Sequence, residues 1–211
     1  MAGVNAIGIE EPPATGVRNA VEFIAELRQA RAYSEVPVGR KVVVVGGGMT
    51  AVDAAVQSKK LGAESVTIVY RRGAAEMSAS GYEQDWAQKN GVHIRHWATP
   101  KALLAESGRI SGIQFGYTRA DGGKLTETGE HFTLEADVVL KAIGQNFVAQ
   151  PLGTSLELRH GQIVTDDDGR TSNAKVWAGG DCRLGGRDLT VEAVEHGKVA
   201  ARSIHQALSA A

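Results

Sequence analysis

KVVVVGGGMTAVDAA, residues 41–55, has four valines in a row after Lys41, with no polar residue between them. A run of that kind fits a parallel strand buried on both faces. Three glycines follow, then a segment of small and apolar residues, so the order is strand, turn, helix. Gly46-Gly47-Gly48-Met49-Thr50-Ala51 has the form G-x-G-x-x-G/A. Gly46 permits the tight turn, Gly48 lets the backbone approach a pyrophosphate, and Ala51 is small enough for the helix to pack on the strand. N–H groups at the start of a helix, with the partial positive charge there, suit a phosphate. A glycine pattern alone says little. The strand before it, the amphipathic helix after it (about 50–61) and a second strand at the right distance make it a dinucleotide-binding signature.

That second strand, 65–70, ends in TIVY and is followed by Arg71-Arg72. Sites specific for NAD place a carboxylate there for the ribose 2′-hydroxyl. A guanidinium instead clasps a 2′-phosphate through parallel hydrogen bonds. Two solvated strand-end charges are the plainer alternative. Further on, 82–89 reads as a helix stopped by Gly91, and 92–97 as a third strand. The β-α-β-α-β order implies a parallel sheet. Upstream, residues 1–16 read as loop, and Ala20, Phe23, Ile24 and Leu27 fall on one face of a helix over 19–31. Downstream, 109–119 and 131–143 read as antiparallel strands about the turn 120–123, a small meander beside the sheet. Within the second segment, 136–143 leads back to the sheet. A short buried strand is expected at 176–178. A final helix over 190–208 carries the stripe Val191, Val194, Ala201, Ile204 and Leu208, with Gly197 in it.

Composition narrows the alternatives. A hydrophobic fraction of 43% fills a core, and a net charge of −1 gives no field for nucleic acid or an anionic membrane. The 26 glycines are too many for a plain helical bundle. A single cysteine, Cys182, excludes an internal disulfide or a Cys-ligated cluster. No apolar run has membrane-spanning length and the start lacks a signal-peptide pattern, so a soluble cytoplasmic protein is expected. His93 and His96 lie three apart on an expected strand, on opposite faces, and make no metal pair.

A second constellation is VWAGGDC followed by LTVEAVEHGKVAA. Asp181 is placed to accept hydrogen bonds from ribityl hydroxyls. The N–H groups around Thr190 and Val191 are placed to face a flavin pyrimidine ring, which gains negative charge on reduction. Read alone, Asp181 caps a turn and Thr190 caps a helix. About 130 residues after a dinucleotide motif, the flavin reading is preferred.

Together these residues resemble the FAD-dependent pyridine nucleotide-disulfide oxidoreductase superfamily. The nearer likeness is to the glutamate synthase small subunit and the flavin-containing part of dihydropyrimidine dehydrogenase, including its PreT-type subunit. It covers nearly the whole chain and rests on GVRNAVEFI, VVVVGGGMTAVDAAVQSKKLGAESVTIVYRRG, EQDWAQKNGVHIRHW, ADVVLKAIGQ and WAGGDCRLGGRDLTVEAVEHGKVAA. The resemblance implies a Rossmann-like α/β fold with both NAD(P) and FAD. NAD(P)H would lie across Gly46, Gly47, Gly48, Met49, Thr50 and Ala51, its adenosine end near Arg71 and Arg72 and its nicotinamide side near Ala142, Ile143 and Gly144. Gly180, Asp181, Leu189, Thr190 and Val191 would hold part of FAD.

It further implies domains at 1–37 (remnant of a flavin lobe and connecting helix), 38–144 (NAD(P)-binding, with the meander) and 145–211 (C-terminal part of an FAD-binding domain). An iron–sulfur or catalytic partner subunit is expected, and a homo-oligomer remains open. The pattern starts midway through the family's, so the chain reads as truncated, and a dinucleotide-binding module without bound flavin is the alternative function. Some family members that use NADP carry an extra basic residue where this chain has Ser78. A Rossmann methyltransferase fits poorly, because it would put an acidic residue near Arg71 and leave AGGD unexplained.

Overall fold

The computed structural model describes residues 2–148 and 155–209. The chain forms two compact units, Val4–Gly144 and a smaller one made from the residues before Val4 and those after Gly144. In chain order the strands are β1 (Ala2–Val4), β2 (Val17–Asn19), β3 (Lys41–Val45), β4 (Ser65–Val69), β5 (His93–Arg95), β6 (Ala98–Glu106), β7 (Arg109–Asp121), β8 (Lys124–Glu135), β9 (Val138–Lys141), β10 (Gln145–Phe147), β11 (Leu158–Arg159) and β12 (Gln162–Ile163). The helices are α1 (Ala20–Gln29), α2 (Met49–Lys60), α3 (Gly81–Lys89) and α4 (Thr190–Ser209).

The larger unit is built on a parallel sheet in the order β2-β9-β3-β4-β5. The valine run explains why that sheet has two covered faces. Val42 and Val44 join a core with Phe23 of α1, Val52 and Ala55 of α2 and Ala87 of α3. Val43 and Val45 join a second core with Ile110, Ile113 and Phe115 of β7. All four valines are buried, which is worth roughly 1.5–3 kcal/mol for each side chain taken from water. The opposite layer is the antiparallel sheet β6-β7-β8.

Here the structure departs from the sequence reading. The meander has three strands. β6 was not foreseen, and β8 begins at Lys124 and not near 131. The parallel strand expected over 92–97 stops at Arg95, because Trp97 takes a left-handed backbone conformation (φ 59°) and turns the chain into β6. The return of 136–143 to the main sheet is as expected, with β9 parallel to β2 and β3. Residues from Val4 to 37 belong to the larger unit: β2 pairs with β9, and Phe23 is 2% exposed in the main core.

In the smaller unit, 176–178 forms only one bridge, Trp177 to Arg170, and is half-buried. Helix α4 also packs by a different face than its apolar stripe suggests. Val191, Val194 and Leu208 are 77%, 52% and 74% exposed, while Ser203 is 2% exposed. The packed face is mixed, with Glu192, His196 and Ser203 beside the half-buried Val199, Ala200, Ile204 and Ala207. Ser203 Oγ accepts hydrogen bonds from Trp177 Nε1 (3.0 Å) and Arg170 Nε (3.1 Å). The half-buried indole N–H finds its partner there, on the face that carries Ser203. Among the described residues none approaches Gly197, which faces open space. No described helix is long and apolar enough to cross a membrane.

Candidate functional site

The in-register rows of the parallel sheet bring three of the expected segments to one edge. Val45 pairs with Val69 and with Lys141, so the glycine turn, the Tyr70–Arg71–Arg72 turn and Ala142 all leave from the carboxyl ends of adjacent strands. In open α/β sheets ligands bind at that edge. The Gly46 N–H donates to the Val69 carbonyl (3.1 Å), and the Ala142 N–H donates to the Val45 carbonyl (2.8 Å). Gly46 has φ 149°, and a Cβ there would fall on the Ala142 carbonyl, so both space and backbone demand glycine. The Tyr70 ring occupies the place of a Cβ at Gly47. At Gly48 a Cβ would meet only Ser78 Oγ, at 3.1 Å, and would otherwise fill the space beside the turn.

Helix α2 starts from this turn with no side-chain cap at Gly48. Ala51 and Val52 N–H groups donate to the Gly48 carbonyl. Among the described residues, the N–H groups of Gly47, Gly48, Met49 and Thr50 have no acceptor. Four undonated N–H groups at a helix start, beside space that a Cβ would fill, fit a dinucleotide pyrophosphate. Met49 is exposed, Thr50 is half-buried and Ala51 is fully buried.

Arg71 and Arg72 are exposed, and neither guanidinium has an ion pair or hydrogen bond among the described residues. Their backbone, in contrast, is tied down. The Arg71 carbonyl accepts from Thr118 Oγ1 (2.7 Å) and the Arg72 carbonyl from the Trp97 N–H (3.1 Å). The Ile143 and Gly144 carbonyls accept from Asn5, through Nδ2 (3.1 Å) and the backbone N–H (3.2 Å). Sequence reasoning missed Thr118, Trp97 and Asn5. Nothing in the pattern sets Trp97 apart from other aromatic residues, or Thr118 and Asn5 from other polar ones.

The remaining expected residues lie in the smaller unit. Gly180–Cys182 is a single 3-10 turn, with Gly180 at φ 75°. The Gly180 N–H donates to His196 Nδ1 of α4 (3.1 Å). A Cβ on Gly179 would meet His196 Cβ at 2.7 Å, and one on Gly180 would lie 3.6 Å from Ala193 Cβ. So the turn rests on the first turns of α4, near Leu189, Thr190 and Val191. Glu192 holds the preceding loop, accepting from the Arg187 N–H (3.1 Å) and Nε (2.6 Å). Those two hydrogen bonds hold the Glu192 carboxyl below the usual carboxylate range, with a smaller contribution from the charges of Arg187 and His196.

The Asp181 carboxylate takes no hydrogen bond among the described residues, and neither do the N–H groups of Thr190, Val191 and Glu192. A free carboxylate next to a free helix start fits a group that offers hydroxyls and a ring gaining negative charge. Burial, and then the Asp181 carboxylate, push the Cys182 thiol above its usual range. The thiol lies 3.1 Å from the Gly179 carbonyl, to which it donates.

A Rossmann-like sheet with an undonated glycine-turn helix start is the mark of a dinucleotide-binding oxidoreductase fold. The family model described as pyridine nucleotide-disulphide oxidoreductase matches residues 4–197, and the chain belongs to that family, whose cofactors are FAD and NAD(P). Glutamate synthase [NADPH] small chain of Escherichia coli is 33% identical over 93% of this chain and 46% of its own length. NAD-dependent dihydropyrimidine dehydrogenase subunit PreT of Salmonella typhimurium is 34% identical over 94% of this chain and 44% of its own. The chain thus spans less than half the length of these relatives. T. acidophilum thioredoxin reductase superposes with a TM-score of 0.76 over 97% of this chain and 62% of that one, at 19% identity, a likeness of fold.

Proposed function

We propose that the chain is the NAD(P)H-oxidising portion of an FAD-dependent electron-transfer oxidoreductase, with the dinucleotide on the Val4–Gly144 unit and part of the flavin on the other. The observation that carries this reading is the set of four undonated N–H groups from Gly47 to Thr50 at the sheet edge, with the free Arg71–Arg72 pair on the next strand. Gly46–Ala51 bind the pyrophosphate through backbone donors and the helix dipole. Arg71 and Arg72 bind the adenosine end, with a 2′-phosphate as the preferred partner of two guanidiniums. Ala142, Ile143 and Gly144 border the nicotinamide side, with Asn5 fixing the last two carbonyls.

Gly180, Asp181, Leu189, Thr190 and Val191 orient the flavin. The flavin, when bound, supplies a two-electron acceptor for the nicotinamide hydride. No acid or base on this chain is required for that transfer; the residues contribute position and exclusion of water. An iron–sulfur or catalytic partner receives the electrons, in keeping with relatives named as a small chain and a subunit. One relative is named for NADPH and the other for NAD, so the choice of dinucleotide rests on the arginine pair.

The test is an absorbance spectrum of the desalted chain before and after FAD, followed by NADPH. The expected result is retained visible flavin bands that bleach on adding the dinucleotide. Binding of NADPH with no retained flavin would replace this reading by that of a dinucleotide-binding module.

A further inference from the structure

The arginine pair sits on a turn whose backbone is held by residues of the meander, not by its own strand. Thr118 is one of three buried polar residues among those described (5% exposed), and its hydroxyl reaches across 47 residues to the Arg71 carbonyl at 2.7 Å. The Thr118 N–H donates to the Trp97 carbonyl (2.8 Å), and the Trp97 N–H donates to the Arg72 carbonyl (3.1 Å). The Trp97 ring closes on Gly73, the residue after the pair, where a Cβ would come within 2.9 Å of it. Trp97 is left-handed at φ 59°. A bulky residue adopts that conformation only where its surroundings over-determine it, and such outliers gather at sites that need a fixed geometry. The β7–β8 register also breaks between Gly116 and Thr118, re-aiming Thr118 from the regular pleat. All of these hydrogen bonds end on carbonyls, so both guanidiniums stay free.

We propose that Thr118 and Trp97 are positioning residues that pre-set the Arg71–Arg72 turn, and that the Thr118 hydroxyl thereby determines how strongly the site prefers a 2′-phosphorylated dinucleotide. This rests on the reading of the arginine pair given under Proposed function. A flexible turn would pay the cost of ordering two long side chains when the phosphate binds; a turn held by two hydrogen bonds has met part of that cost beforehand. The held turn bears on the 2′-phosphate and not on the pyrophosphate, which lies on the glycine turn. Its effect therefore appears in the ratio of NADPH to NADH affinity and not in both affinities alike.

The experiment is a calorimetric titration of the full chain and its variants with NADPH and with NADH. Thr118→Val keeps the shape and removes the hydroxyl, and should lower the NADPH-to-NADH affinity ratio by about three- to tenfold, the worth of one hydrogen bond. Thr118→Ser restores the hydroxyl and should keep the ratio within about twofold of the parent. Should Thr118→Val fail to fold, Thr118→Ala reads the same ratio. The double variant Arg71→Ala/Arg72→Ala separates the two claims. If it lowers the ratio while Thr118→Val does not, or if Thr118→Ser falls as far as Thr118→Val, the positioning role is overturned and the arginine reading stands. If the double variant leaves the ratio unchanged, the 2′-phosphate reading falls and this inference with it.

Discussion

The turn at Gly46–Ala51 and the turn at Gly180–Cys182 both present backbone and a helix start to open space, yet they are held in opposite ways. The first stands on strands whose valines are buried on both faces, and Gly46 and Ala142 are fixed by their N–H groups donating to the Val69 and Val45 carbonyls. The second stands on a polar arrangement: His196 under Gly180, Glu192 on Arg187, and Ser203 beneath Trp177 and Arg170. Apolar burial is non-directional and tolerant of small changes, whereas a half-buried polar arrangement depends on each partner's geometry. The dinucleotide-side turn should therefore fail only when its own backbone is touched. The flavin-side turn should fail when any of several side chains is changed.

The largest expected effect is at Gly46. Gly46→Ala meets the Ala142 carbonyl and a disallowed φ together, and should destabilise the larger unit by more than about 3 kcal/mol in chemical denaturation. A loss under about 1 kcal/mol would show that the turn is looser than its contacts indicate. Next comes Gly48→Val. It has room except toward Ser78 Oγ, so circular dichroism should stay close to the parent's while NAD(P)H affinity drops more than about tenfold. Unchanged affinity would remove the glycine turn from the binding site.

Ser203→Ala tests the polar side of the comparison. It leaves a half-buried indole N–H and the Arg170 Nε without an acceptor, and should cost about 1–3 kcal/mol in the smaller unit. His196→Ala should free the Gly180 N–H, read as faster hydrogen exchange at that amide. His196→Asn, whose Oδ1 stands where Nδ1 does, should restore protection. If Ala and Asn behave alike, the imidazole only fills space.

The smallest effect is one of pH. The Glu192 carboxyl is held below its ordinary range by the Arg187 hydrogen bonds. Its contribution is fully present above the ordinary carboxylate pKa and is lost as pH falls through the depressed value. Glu192→Gln should flatten that acid limb of the smaller unit's melting temperature and leave neutral pH little changed; an identical acid limb would refute the coupling.

The same contrast explains what was legible. The valine run, the glycine spacing and the arginine pair are local patterns, and each is read within a few residues. They point to the parallel sheet and to the edge where Gly46, Arg71 and Ala142 meet. The third meander strand was missed because its trigger is a single residue, Trp97, adopting a conformation that no propensity assigns to tryptophan. The packed face of α4 was misjudged because periodicity counts apolar residues, and this helix buries Ser203 and His196 ahead of Val191 and Leu208. Thr118 and Asn5 act over 47 and 138 residues of sequence. Such pairings come from topology and leave no periodic trace.

The Tyr70 ring over Gly47 has a consequence for anyone moving this turn into another scaffold. A Cβ at 47 and an aromatic ring at 70 exclude each other, so the two positions should behave non-additively: an alanine at 47 is tolerable only once position 70 has become small. The ring is anchored in turn, its hydroxyl donating to the Glu76 carbonyl at 2.8 Å, while the Ala79 N–H donates to the Gly47 carbonyl at 3.0 Å. The smallest portable piece is therefore not the fifteen-residue fingerprint of 41–55 but the whole of 41–80 together with a neighbouring strand that supplies the Ala142 carbonyl against Gly46. A graft of the shorter piece would carry the glycines and leave behind the residues that make them necessary.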